Sequence, residues 1–112
     1  SRNDYLSAET LVATLEAAWR RPGLREPLLS VLPSAGVPGT LQHRLAGTPG
    51  AGRVHAKTGS MSNVRSLAGF VETTAGEPLV FAFLTNGFHV RGADIDARVD
   101  ELLLALVSLP LP

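Results

Sequence analysis

The chemistry in this 112-residue chain starts at its one lysine. Lys57 stands among nine arginines, in the stretch RVHAKTGSMSNV (residues 53–64), and is followed directly by Thr58, Gly59 and Ser60. A compact ammonium can give up a proton and fit a tight polar site, whereas a planar guanidinium keeps its proton at any working pH. Lys-Thr-Gly therefore offers in succession a cation, a hydroxyl donor and a backbone without a side chain. Ser60, Ser62 and Ser66 add hydroxyls, which become nucleophiles only when a base lies beside them. A Ser-x-x-Lys arrangement would supply that base from the next turn of a helix, but no serine lies three residues before Lys57. Nucleophilic catalysis by this chain alone is not expected. Taken as a bare tripeptide, Lys-Thr-Gly is also an ordinary strand-end turn with a solvated lysine.

The remaining candidates are weaker. His43, His55 and His89 are widely spaced, with no cysteine or carboxylate at metal-ligand spacing, and read as ordinary loop or surface histidines. Asp94-Ile95-Asp96 resembles a paired-carboxylate site, but acidic residues in the first turn of a helix are favoured by its dipole alone. No metal and no cofactor are expected. The chain has no phosphate loop, dinucleotide fingerprint or Gly-x-Ser-x-Gly elbow. A formal net charge of zero lacks the basic footprint of a nucleic-acid binder, and zero cysteines exclude disulfides and thiolate sites.

These residues must be positioned by elements that the pattern outlines. Ser7 is a plausible N-cap for AETLVATLEAAWRR (8–21), with Leu11, Val12, Leu15, Ala18 and Trp19 on one helical face. Arg20-Arg21 suits the C-terminus of that helix rather than an export signal, and Pro22-Gly23 stops it. Residues 22–52 carry five prolines and six glycines and read as a long loop, with one short helical piece near 26–32. Three strands follow, at 53–58, 65–73 and 78–86, the last two joined by the turn TAGE. In the third, Phe81 and Phe83 share one face while Val80, Ala82 and Leu84 share the other. Such a strand needs cover on both sides. A final helix over about 93–107, beginning at Asp94, presents Ile95, Val99, Leu102, Leu103 and Leu106 as its stripe. The fold class is α+β: helix, long loop, three antiparallel strands and helix. Two helices cover one face of such a sheet more readily than two, so the 112 residues look like an incomplete domain. The opening SRND, without methionine or apolar leader, is consistent with a processed protein or a piece of a longer one. LLLALV, the longest apolar run near the C-terminus, is far short of the roughly 20 residues that span a bilayer.

The order of a Lys-Thr-Gly strand, two apolar strands and a C-terminal helix resembles the last part of the penicillin-binding protein and serine β-lactamase fold. The upstream residues narrow it. LPSAGVPGTLQHRL (32–45) and GRVHAKTGSMSNVRSLAGFVET (52–73) look like the penicillin-binding protein 4 type of D-alanyl-D-alanine carboxypeptidase. Members carry Leu-Pro-x-Ala-Gly-x-Asp-Gly-(Thr/Ser)-Leu, a following Arg, Ala-Lys-Thr-Gly-(Ser/Thr) and Leu-Ala-Gly-(Tyr/Phe). SRND (1–4) resembles the same family's Ser-Arg-x-Asn segment rather than its catalytic Ser-x-Asn. The resemblance covers roughly residues 1–87. Pro38 departs from it, standing where the family often has Asp.

The resemblance implies a serine-type D-Ala-D-Ala carboxypeptidase, with endopeptidase activity also open. It would act on peptidoglycan stem peptides through an acyl-enzyme and be inhibited by β-lactams. In that scheme Lys57 supplies positive charge near the serine and the substrate's terminal carboxylate and assists proton movement. Thr58 donates its hydroxyl to that carboxylate, Gly59 lets the substrate backbone lie against the strand, and the Ser60 N–H forms half of an oxyanion hole. The nucleophile, its Ser-x-x-Lys helix and the Ser-x-Asn motif would come from an N-terminal part of the same protein. An extracytoplasmic location is implied by the family. Two other readings stand beside it. One is a small non-catalytic module with an accidental Lys-Thr-Gly turn; the other is a serine β-lactamase fragment, against which the Leu-Pro-x-Ala-Gly stretch argues.

Overall fold

A computed structural model describes residues 7–61, 64–86 and 91–110; the SRND opening, Ser62 and His89 lie outside them. The elements are α1 (Ala8–Arg20), α2 (Arg25–Val31), β1 (Val54–Met61), β2 (Val64–Glu72), β3 (Pro78–Asn86) and α3 (Gly92–Val107). The strands form one antiparallel sheet in the order β1-β2-β3. This is the expected α+β order, with different boundaries. β1 runs through the whole of Lys57–Ser60, which therefore lies within the strand and not at its end, and pairs as far as Met61↔Val64.

α1 begins where Ser7 caps it: the Ser7 hydroxyl accepts from the Thr10 N–H at 3.0 Å. Its apolar stripe meets one face of β2 and β3, and Trp19 lies 4.8 Å from Phe70, centroid to centroid. Arg25, from the start of α2, sits 4.2 Å over the same indole. No residue of α1 is fully buried, so this face of the sheet is only half covered.

The opposite face carries the core. Leu67, Val71 and Phe81 pack there with Val54 and Ala56 against Ile95, Val99, Leu103 and Val107 of α3. The two helices thus lie on opposite faces, rather than sharing one, because the strands alternate apolar residues on both sides. α3 starts at Gly92, two residues before Asp94, and its stripe recurs every four residues from Ile95 to Val107. Leu102, expected in that stripe, is 52% exposed.

Residues 33–53 have no regular element, yet they are anchored. Ala35, Leu41 and Leu45 are buried in the core, covering β1 where α3 does not reach. The turn around Pro38 closes through backbone bonds, Gly36 N–H to Leu41 O at 3.0 Å and Gln42 N–H to Gly39 O at 3.1 Å. Pro38 is exposed, so the turn forms without the side chain that the family's Asp would bring. Arg44 then fastens the segment to α3, its Nη2 2.6 Å and its Nε 2.8 Å from Asp100 Oδ1. No helix among the described residues is long and apolar enough to cross a membrane.

Candidate active-site wall

β1 has two neighbours for half its length and one for the rest. On its outer edge Ala35 N–H donates to Val54 O and Ala56 N–H donates to Pro33 O, both at 2.9 Å, around the bridge Ser34↔His55. No such pairing continues past Ala56 among the described residues. In an extended strand, peptide groups two residues apart point the same way. Since Val54 and Ala56 turn theirs outward, Thr58 and Ser60 do so too. The Ser60 N–H therefore faces the open edge. The same direction follows from the pairing of β1 with β2, which continues through Ser60↔Arg65 to Met61↔Val64.

The same alternation sorts the side chains. Val54, Ala56, Thr58 and Ser60 leave the sheet on the α3 side, whereas His55, Lys57 and Gly59 leave on the α1 side. Lys57 is exposed, and its Nζ donates to the Thr58 carbonyl at 3.2 Å. Thr58 is half-buried at the edge of a cleft of about 360 Å³. That cleft is lined by Thr40, Arg44, Thr58, Ser60, Arg65 and Asp96, with Phe83, Ile95 and Val99 at its apolar side. Gly59 lies opposite Ser66, and a Cβ there would stand 2.6 Å from the Ser66 hydroxyl. Ser66 thus packs over the glycine on the lysine side, and the structure gives neither Ser60 nor Ser66 a hydrogen bond to a base.

The other candidates find structural places. His55 shares a 2.8 Å hydrogen bond between its Nδ1 and the Ser34 hydroxyl, beside the edge bridge. Burial pushes its pKa below the usual 6.5, and the nearby Glu72 carboxylate opposes that shift. His43 is exposed on the loop. Asp94 pairs with Arg91 at 3.4 Å within the first turn of α3, as the dipole reading allows. Asp96 does more: it lies 3.2 Å from Arg65 Nη2 on β2 and 3.8 Å from Arg44 Nη1 on the loop. The sequence reading missed this three-element junction. Its only local signal is that Asp96 and Asp100 share one helical face, and nothing in that spacing names Arg44 or Arg65 as partners.

Comparison with known proteins identifies the family and supports the fold. A model of the D-Ala-D-Ala carboxypeptidase 3 (S13) family matches residues 1–106. A carboxypeptidase of Mycobacterium tuberculosis is 45% identical over 109 residues, covering 91% of this chain and 23% of its own length. The D-alanyl-D-alanine carboxypeptidase DacB of Haemophilus influenzae is 34% identical over 100 residues, covering 88% and 20%. Penicillin-binding protein 4 of H. influenzae, solved in complex with a β-lactam, superposes with a TM-score of 0.83 at 29% identity. It is matched over 97% of this chain and 27% of that one. The chain spans about a quarter of the length of the relatives it matches.

Proposed function

The chain belongs to the D-Ala-D-Ala carboxypeptidase 3 (S13) family, and we propose that it forms the Lys-Thr-Gly wall of a serine-type D-Ala-D-Ala carboxypeptidase. The observation that carries this reading is the open edge of β1 beyond Ala56, where the Thr58 and Ser60 peptide groups point outward. An extended acyl-D-Ala-D-Ala segment can add to that edge as a further strand, as peptides do on exposed sheet edges. Gly59 adds no side chain of its own to that strand, and the space a Cβ would take is filled by the Ser66 hydroxyl.

The alternation along β1 divides the roles. Lys57, on the α1 side, supplies the cation next to the nucleophile and assists its proton transfer. Thr58, on the cleft side, donates its hydroxyl to the substrate's terminal carboxylate. The Ser60 N–H stabilises the oxyanion of the tetrahedral intermediate, jointly with the nucleophile's own N–H. The nucleophilic serine attacks the carbonyl of the D-Ala-D-Ala bond, the terminal D-alanine leaves, and water hydrolyses the acyl-enzyme. A β-lactam follows the same acylation and is released slowly. The serine, its lysine and the Ser-x-Asn motif belong to an N-terminal part of the same protein, which is this wall's essential partner. Substrates of this class place the enzyme outside the cytoplasm, at the peptidoglycan.

The match over residues 1–106 and the upstream 32–45 stretch favour this reading over a chance tripeptide in a binding module and over a β-lactamase fragment. Labelling with fluorescent penicillin tests it. The complete protein is expected to label on its upstream serine, and residues 1–112 alone to remain unlabelled. A complete protein that never labels and never releases D-alanine would end the proposal.

A further inference from the structure

We propose that Arg65 makes this site selective for substrates that end in a free carboxylate, and that Asp96 limits how strongly it does so. The inference rests on β1 being the wall of a D-Ala-D-Ala peptidase, and concerns which substrates that wall prefers.

Arg65 is the cross-strand partner of Ser60. Because the Ser60 peptide group turns outward, the two form a non-hydrogen-bonded pair, the type in which opposite Cα atoms approach to about 4.5 Å and side chains lie closest. Both side chains leave on the α3 side and line the same cleft, together with Thr58. A group that passes from the β1 edge toward that face therefore meets two hydroxyls and then a guanidinium. Lys57 leaves the strand on the other face, so the cations on the cleft side are Arg65 on β2 and Arg44 on the loop.

The two arginines of the cleft are engaged very differently. Arg44 is consumed by structure: Asp100 takes it at 2.6 and 2.8 Å. Arg65 uses only Nη2, which reaches the two Asp96 oxygens at 3.3 and 3.2 Å. These distances exceed the 2.7–2.9 Å usual for a charge-assisted bond. Its Nε is buried and has no hydrogen-bond partner. A guanidinium has five N–H donors, so Arg65 holds most of its donor capacity in reserve. Gly92, at the start of α3, gives it room: a Cβ there would stand 2.7 Å from Arg65 Nη1.

A carboxylate entering beside Thr58 and Ser60 would recruit that reserve and compete with Asp96 for the same cation. The chemistry distinguishes two substrate types. A terminal D-alanine brings a charge to the cleft, whereas a D-alanine whose carboxyl is esterified or amidated does not.

The test uses the complete protein, an acyl-D-Ala-D-Ala peptide and its C-terminal methyl ester. Arg65→Gln should lower kcat/KM for the acid by about tenfold or more and leave the ester nearly unchanged. Arg65→Lys should recover part of the loss, because charge returns without the fork. Asp96→Asn should shift the acid-over-ester preference in the opposite direction, upward by severalfold, because the competing carboxylate is gone while Arg44 keeps Asp100. Turnover of the ester shows that each variant is folded. Equal losses on acid and ester in Arg65→Gln, or shifts of the same sign in both variants, overturn the inference and make the pair purely structural. A protein that labels with penicillin yet has no acid-over-ester preference overturns the inference alone. One that neither labels nor turns over overturns the underlying reading and the inference with it.

Discussion

The two halves of β1 are built for opposite purposes. From Val54 to Ala56 the strand is sealed: β2 pairs with one edge, the Pro33–Ala35 segment with the other, and the Val54 and Ala56 side chains are fully buried. From Lys57 to Ser60 the outer edge has no partner among the described residues, and Lys57, Gly59 and Ser60 are exposed. An unpaired strand edge is normally a liability that proteins cover or blunt. Here β2 pairs along both halves and keeps the Thr58 and Ser60 peptide groups in a fixed direction, and on the open side the Thr58 carbonyl is met by the Lys57 ammonium of the same strand. Stability sits in one half, and the proposed substrate-binding edge sits in the other.

The sharpest way to break this contrast is at Gly69, which faces Ala56 in the sealed half. A Cβ there would fall on the His55 carbonyl and within 2.6 Å of the Ala56 Cα, both backbone atoms that cannot rotate away. Gly69→Ala should cost about 3 kcal/mol or more, read as a lost or strongly lowered thermal transition in the complete protein. A wild-type melting temperature in that variant would refute the account of the sealed half.

Lys57→Ala probes the open half and should separate function from fold. Acylation by fluorescent penicillin should slow by about a hundredfold or more, while the melting temperature stays near that of the parent because the side chain is exposed. Normal acylation would mean that the role assigned to Lys57 is wrong. Ser34→Ala has a smaller expected effect. It removes the hydrogen bond to His55 in the seal and should cost about 1 kcal/mol in denaturant unfolding. A variant as stable as the parent would show that the backbone bonds at Val54 and Ala56 suffice.

The pH response of His55 is the smallest lever. Burial lowers its pKa from 6.5 while Glu72 pulls the other way. A base with a depressed folded pKa binds more protons when unfolded, so stability rises with pH through that range. The contribution is complete above the unfolded value of 6.5 and is lost as pH falls through the lower folded value. The melting temperature of the protein should therefore fall more steeply on acidification below about pH 6.5 than that of His55→Gln. Parallel curves would remove His55 from the seal's pH dependence.

Much of this was legible in the chain itself. Strand alternation and turn residues give the three strands and their order; Ser7 gives the start of α1; the Lys-Thr-Gly context gives the proposed wall. These are local signals, set by the periodicity and conformational preference of neighbouring residues. Where the pattern was followed too literally it misplaced an edge. Leu102 suits a helical stripe by composition, yet α3 turns Val107 inward and leaves Leu102 in solvent.

The sequence alone determined which residues could act at the open edge: a single ammonium, a hydroxyl and a backbone bare of Cβ, in consecutive positions. Only the tertiary structure decided which way each one points. The direction of the Ser60 N–H follows from the register of β1 on β2, and the sharing of Asp96 between Arg65 and Arg44 joins a strand, a loop and a helix. Such contacts depend on how elements come together in space, and no spacing along one element encodes them.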